Sequence, residues 1–205
     1  QQPDGGGLAS FQAQGLASLA HSFMKLSIND ATQPMQCIRA EINRMTLKGF
    51  TPGDLAQVAI AFAGLRAQQA DQLVSTIAGE MFARKVDRFE TSHMADLAWA
   101  LVESVCGLRR FTSFMQLVGE VSIIRRLENV SAQSLSRLCS AFAKFSEQVQ
   151  ISTSEKFVRA AAKEAVRRGT SEFEPEQLAN ILWAAAKVRG MEGHAGITAI
   201  GKELL

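Results

Sequence analysis

Five segments of this 205-residue chain repeat one pattern. In each, an aromatic residue or valine is followed five residues later by an apolar residue that opens an amphipathic run. The segments start at residues 11, 50, 89, 130 and 173, so successive units are 39 to 43 residues apart. Sequence periods of 20 to 50 residues are typical of arrays in which each unit buries its apolar face against its neighbours. The chain is therefore predicted to be a stack of similar units.

The apolar residues of each run have helical spacing. In the second unit Leu55, Val58, Ala59 and Phe62 recur at three, four and seven residues from the first, which is one face of an α-helix. The aromatic residue or valine lies just before the helix N-cap, where it packs on the fourth helical residue as a hydrophobic staple. Five first helices are thus predicted, with these fourth helical residues: Leu16, Leu55, Met94, Leu135 and Leu178.

A second amphipathic segment follows each first helix, so each unit is predicted to be a helical hairpin. These segments cover residues 33–48, 69–87, 112–127, 152–169 and 194–205. Because a lone hairpin cannot cover both of its apolar faces, neighbouring hairpins must stack. We expect an all-α fold, an α-solenoid of about five helix-turn-helix repeats in a single domain over residues 8–205.

The chain ends suggest a fragment or a processed product. The first residue is Gln1 rather than Met, and residues 1–7 are glycine-rich, so we expect a disordered lead-in there. The last helix reaches Leu205 without a polar capping unit, which is compatible with an array that continues in a longer native chain.

Composition and motifs favour a binding protein over an enzyme. The sequence has no glycine-rich phosphate loop, no paired-histidine zinc spacing and no nucleophile elbow, so no catalytic residue, cofactor, metal or small-molecule substrate is predicted. No apolar run approaches the ~20 residues that cross a bilayer, so we expect no membrane span. Histidines and cysteines are scattered, and we expect solvated or hydrogen-bonded imidazoles and free thiols: His21, His93, His194, Cys37, Cys106 and Cys139.

The two tryptophans occupy equivalent repeat positions. Trp99 and Trp183 each lie five residues after the first residue of the apolar run. An aromatic residue at helical spacing is more often core than ligand platform, so packing between hairpins is the favoured interpretation. A base-stacking role is the alternative.

Basic residues recur near the end of each complete second helix. Because equivalent positions of stacked repeats line up on one surface, such residues could follow a phosphate backbone. Cations at helix C-termini are also favoured by the helix dipole without any ligand, so both interpretations stay open. If they bind RNA, charge reversal at Arg125 and Arg126 should weaken binding with little loss of helix. The RNA-binding candidates are Arg44, Lys48, Arg84, Lys85, Arg88, Arg125, Arg126, Arg167 and Arg168.

The fifth unit carries a family resemblance. Its segment Phe173-Glu-Pro-Glu-Gln-Leu178-Ala-Asn-Ile-Leu-Trp183-Ala-Ala-Ala-Lys187 resembles octotricopeptide repeats and the related repeats of RAP-domain and Fas-activated-kinase-like organellar proteins. The units beginning at Leu55 and Met94 look like weaker copies. No RAP-like module follows Leu178 in this sequence, and no base-reading code can be carried over.

The resemblance implies a function for the array. It implies an RNA-associated protein of mitochondria, or alternatively of plastids, that is part of a ribosome or of RNA metabolism. Its partners would be ribosomal or messenger RNA and the protein subunits of a larger assembly. A protein-binding scaffold of the armadillo or HEAT kind, with no RNA contact, is the alternative.

Overall fold

The computed structural model describes residues 7–26, 31–85, 89–105 and 107–188. These ranges contain α-helices and short 3-10 turns and no β-strand, which confirms the all-α prediction for them. No helix within them has the length and hydropathy needed to cross a bilayer. The predicted segment 194–205 and most of the lead-in lie outside the described residues. The helices are α1 (Ala13–Lys25), α2 (Thr32–Met45), α3 (Pro52–Gly64), α4 (Ala70–Ala83), α5 (Thr91–Ser104), α6 (Thr112–Ile124), α7 (Ala132–Gln148), α8 (Ser152–Arg168) and α9 (Pro175–Lys187).

The five first helices, α1, α3, α5, α7 and α9, begin where the staple pattern predicts. In each, the first residue of the apolar run is the fourth helical residue. In α3, Asp54 N donates to Thr51 Oγ1 at 3.2 Å and Thr51 N donates to Asp54 Oδ2 at 2.9 Å. In α7, Ser134 N donates to Ser131 Oγ at 3.1 Å. These caps satisfy first-turn amides that the helix itself leaves unpaired.

Consecutive first helices pack directly on one another. α1 contacts α3, α3 contacts α5, α5 contacts α7, and α7 contacts α9. The flanks of these helices are built from fully buried alanines such as Ala59, Ala61, Ala98 and Ala100, and small side chains let neighbouring backbones come close. Among the second helices, α4 packs on α3 and α5, and α8 packs on α7 and α9. The first helices therefore form a continuous row.

The tightest part of the core lies where α6, α7 and α8 meet. The rings of Phe142 and Phe157, both fully buried, have their centroids 4.8 Å apart. A Cβ atom at Gly119 of α6 would lie 2.4 Å from Thr153 Cγ2 and 2.8 Å from Phe142 Cζ. Glycine is thus required at position 119 because α6 carries no side chain where Phe142 and α8 fill the space.

One turn recurs after the second helices and was not anticipated from the sequence. The residue four positions before each staple residue has a positive φ: 64° at Thr46, 65° at Lys85, 62° at Arg126 and 84° at Gly169. With ψ of 149°, Thr46 and Gly169 are in a region that is almost exclusive to glycine. Three of the four turns hold a non-glycine residue in this conformation, at a cost in stability.

Relief of this strain is testable in the first unit. We expect Thr46→Gly to raise the free energy of unfolding by about 1 kcal/mol, because the strain removed is larger than the added entropy of the unfolded chain. Thr46→Ala retains Cβ and should give little or no gain. Urea unfolding of the three proteins measures the difference, and a loss of stability in Thr46→Gly would contradict the assigned turn.

Candidate functional site

The predicted basic cluster separates into two groups in the structure. Three arginines, each five residues before a staple residue, reach back to the turn that follows the previous second helix. Arg84 of the second unit donates from Nη1 to the Phe50 carbonyl and from Nη2 to the Leu47 carbonyl, both at 2.6 Å. Arg84 Nε also donates to Glu80 Oε1 at 2.7 Å. All of its hydrogen-bonding directions are used inside the protein.

The same contact recurs in the next two units. Arg125 Nη1 donates to the Phe89 carbonyl. Arg168 donates from Nη1 to the Val130 carbonyl at 2.7 Å and from Nη2 to the Leu127 carbonyl. We call Arg84, Arg125 and Arg168 the arginine clasp, since each ties a second helix to the turn one unit earlier. The acceptors are carbonyls at turns where the backbone leaves the helix, which require a donor when part-buried.

The other group is exposed to solvent. The Arg126 side chain is 81% exposed and its Nη1 lies 3.6 Å from Glu128 Oε1, while Arg44 and Arg167 pair with Glu41 and Glu164. Lys48 and Lys85 are exposed and have no carboxylate or hydrogen-bond partner within the described ranges. Arg88 lies outside those ranges. We refer to Arg44, Lys48, Lys85, Arg126 and Arg167 as the exposed cations.

Two of the exposed cations are held by strongly acidic carboxylates. Hydrogen bonds from Arg167, and then from Arg168, lower the pKa of Glu164 to about 2. The bond from Arg44 likewise lowers the pKa of Glu41. A lowered pKa in the folded state means that Glu164 contributes stability at neutral pH and loses it only as the pH falls towards 2. The charges of Arg44 and Arg167 are therefore partly neutralised at neutral pH.

Arg125 and Arg126 also line a groove between the N-terminal ends of α5 and α7. The groove has a volume of about 540 Å³. Hydroxyl groups of Thr91, Ser92 and Ser131 line it together with the two arginines. Reversing both arginine charges would break the contact of Arg125 with Phe89 as well, so the two positions must be tested separately.

Sequence reasoning missed three ion pairs between neighbouring first helices. Arg137 of α7 pairs with Asp96 of α5, and Lys144 pairs with Glu103 of the same two helices. Lys187 Nζ of α9 lies 3.3 Å from Glu147 Oε1 of α7. Burial raises the pKa of Asp96, and the ion pair with Arg137 opposes that rise. These cations serve the row of first helices, and only the 41-residue spacing of two of the pairs, close to the repeat period, could have signalled them.

The histidines and cysteines form no reactive cluster in the part of the chain that is described. Burial and the charge of Lys25 lower the pKa of His21, and the buried Nδ1 of His93 has no hydrogen-bond partner there. Cys139 is a buried free thiol and Cys37 a half-buried one. No group of three metal-ligating side chains occurs among these residues. Cys106 and His194 lie outside the described ranges.

The two tryptophans differ in burial. Trp99 is partly buried and packs against the core, in agreement with the favoured packing role. Trp183 of α9 is more exposed, and Lys187 Nζ lies 5.9 Å from the centre of its ring. The equivalence of the two positions in the repeat therefore does not give them equal surroundings.

Comparisons with protein-family models, with curated proteins and with solved structures found no match for this chain. The resemblance to octotricopeptide and RAP-type repeats therefore stays a prediction from the sequence.

Proposed function

We propose that this chain is an α-solenoid module of an RNA-associated organellar protein, and that it contacts the RNA backbone through the exposed cations. The proposed role is binding rather than catalysis, in mitochondria or alternatively in plastids, within a ribosome or a complex of RNA metabolism. The continuous row of first helices supports the solenoid arrangement. The resemblance supports the organelle and the RNA.

One observation carries the RNA contact. Three successive turns each present an exposed cation: Lys48 after α2, Lys85 after α4 and Arg126 after α6. The arginine clasp beside them fixes these turns to one another, so the cations are displayed on a braced backbone. Regularly placed cations on repeated units suit a polymer that carries a phosphate at every nucleotide.

Contacts of this kind set affinity and not sequence preference. Phosphates are the same in every RNA, so binding through the exposed cations should depend on salt and little on base sequence. The clasp arginines add little to this binding because their guanidinium groups are already bonded to carbonyl and carboxylate oxygens.

A triple substitution tests the proposal. We expect Lys48→Gln, Lys85→Gln and Arg126→Gln together to reduce the slope of log affinity against log salt by roughly 2, since each lost phosphate contact on a single strand contributes about 0.7. Fluorescence anisotropy with two unrelated single-stranded RNAs should show the same loss for both. A matched control, Lys25→Gln with Lys156→Gln and Lys163→Gln, changes the net charge equally at exposed sites away from these turns. Equal effects of the two triple variants would contradict the proposal.

A protein-binding scaffold is the second candidate, and a different observation favours it. Two large apolar side chains are exposed near the ends of α4 and α6: Phe82 at 47% and Ile124 at 77%. Exposed apolar side chains of this size are common in protein interfaces. On this alternative the triple glutamine variant would leave RNA affinity unchanged, and Phe82→Ser with Ile124→Ser would abolish binding of the protein partner.

A further inference from the structure

We infer that the groove between α5 and α7 is a subsite for one phosphodiester group of the RNA backbone, held by Arg126 and Arg125 together with neighbouring hydroxyl groups. This inference rests on the proposed function and names the place where one phosphate is bound by several groups at once. Elsewhere the exposed cations would meet phosphates singly.

The two arginines have complementary roles in this groove. Arg125 is held in place through its bond to the Phe89 carbonyl, so it supplies a fixed positive charge at the wall. Arg126 follows directly and is 81% exposed, with its nearest carboxylate, Glu128, at 3.6 Å. A guanidinium group at that distance from its partner can exchange it for a phosphate oxygen, which accepts two parallel hydrogen bonds.

The floor of the groove supplies further donors. Ser131 Oγ accepts from Ser134 N, so its hydroxyl hydrogen can be donated towards the groove. The α5 N-cap, Glu90, provides no side-chain cap, and no partner for the Thr91 or Ser92 amide is present in the described residues. In α3 the equivalent end of the helix is closed by Thr51 and Asp54. The α5 end is therefore available to an anion that the arginines attract.

Glu90 is the group that opposes an anion here. Its carboxylate lies at the groove, accepts a hydrogen bond from Ser92 Oγ at 3.3 Å and lies 3.8 Å from His93 Nε2. The Glu90 side chain is largely exposed, so it can turn to solvent when a phosphate enters. Two arginines against one mobile carboxylate leave the groove net positive.

The volume fits a phosphodiester and not a base pair or a folded domain. A groove of about 540 Å³ accommodates one phosphate with parts of its two riboses. The equivalent position in the next unit has Gly169 in place of Arg126. The subsite is thus specific to the third and fourth units.

The test places a fixed negative charge in the groove. Ser92→Asp puts a carboxylate at the second helical position of α5, where it complements the helix dipole, so folding should be preserved. We expect it to lower the affinity for a single-stranded RNA about tenfold at low salt. Gln14→Asp is the matched control, since it makes the same charge change at the second helical position of α1, at an exposed site; it should change the affinity less than twofold.

Three outcomes separate the claims. Equal losses in Ser92→Asp and Gln14→Asp, with RNA still bound by the wild-type protein, would overturn the groove and leave the proposed function standing. Absence of salt-dependent RNA binding by the wild-type protein would overturn the proposed function itself. Inorganic phosphate, titrated at constant ionic strength with detection by amide NMR at residues 91–93, distinguishes the source of the anion. Saturation by millimolar phosphate without competition from RNA would overturn the assignment to a phosphodiester.

Discussion

Arg168→Ala should lower the free energy of unfolding by about 2–4 kcal/mol, which is a large effect for a side chain in the last turn of a helix. Its guanidinium group is 13% exposed and bonds the carbonyls of Leu127 and Val130 as well as Glu164. Removal of the side chain leaves two part-buried carbonyl oxygens without this donor and one carboxylate with a single arginine. The loss should appear in urea or thermal unfolding.

The neighbouring residue provides the control for this prediction. Arg167 is 60% exposed and bonds only Glu164, so Arg167→Ala should cost no more than about 1 kcal/mol. Arg168→Lys keeps the charge but cannot bond two carbonyls with one fork, so it should recover only part of the loss. Equal destabilisation by Arg167→Ala and Arg168→Ala would show that helix-end charge, and not the clasp, determines stability here.

Phe142→Ala should cost about 3–5 kcal/mol. The Phe142 ring is fully buried, lies 4.8 Å from the Phe157 ring and closes against the bare backbone of Gly119. Because α6, α7 and α8 are all fixed by other contacts, the cavity cannot collapse fully, and the cost falls in the range measured for buried phenylalanines. The free energy of unfolding from urea titration is the measurement.

Lys25→Ala is the reference substitution for that experiment. Lys25 is exposed in the last turn of α1, so its replacement should change the free energy of unfolding by less than ~0.5 kcal/mol. Comparable losses in Lys25→Ala and Phe142→Ala would contradict the buried face assigned to the first helices.

The sequence predicted those features whose determinants are local. The staple and cap at Phe50 and Thr51 lie within five residues of Leu55, so their pattern located the start of α3 to the residue. The apolar positions that recur with helical spacing likewise predicted which side of each first helix is buried. The second helices ended up to four residues earlier than predicted, at Met45, Ala83, Ile124 and Arg168. Their last residues form the recurring turn instead.

The arginine clasp could not be predicted in this way. The acceptors are backbone carbonyls 34 to 41 residues earlier in the chain, and a carbonyl has no residue type by which to recognise it. The alternative based on the helix dipole anticipated a structural role for these arginines, but from their own helix and not from the preceding turn. The positive φ of Thr46, Lys85 and Arg126 had no sequence signal either, since only Gly169 shows the expected residue.

Two adjacent residues test the central claim, that one basic cluster contains both structural arginines and RNA-contacting cations. We expect Arg84→Gln to lower the free energy of unfolding by about 1.5–3 kcal/mol while RNA affinity, measured where the variant is folded, stays within twofold. Lys85→Gln should leave stability within ~0.5 kcal/mol and reduce the salt slope of RNA binding by about 0.7. The measurement is RNA affinity against salt concentration on both variants, with urea unfolding beside it. A loss of salt slope in Arg84→Gln as large as in Lys85→Gln, or no loss in either, would contradict the account.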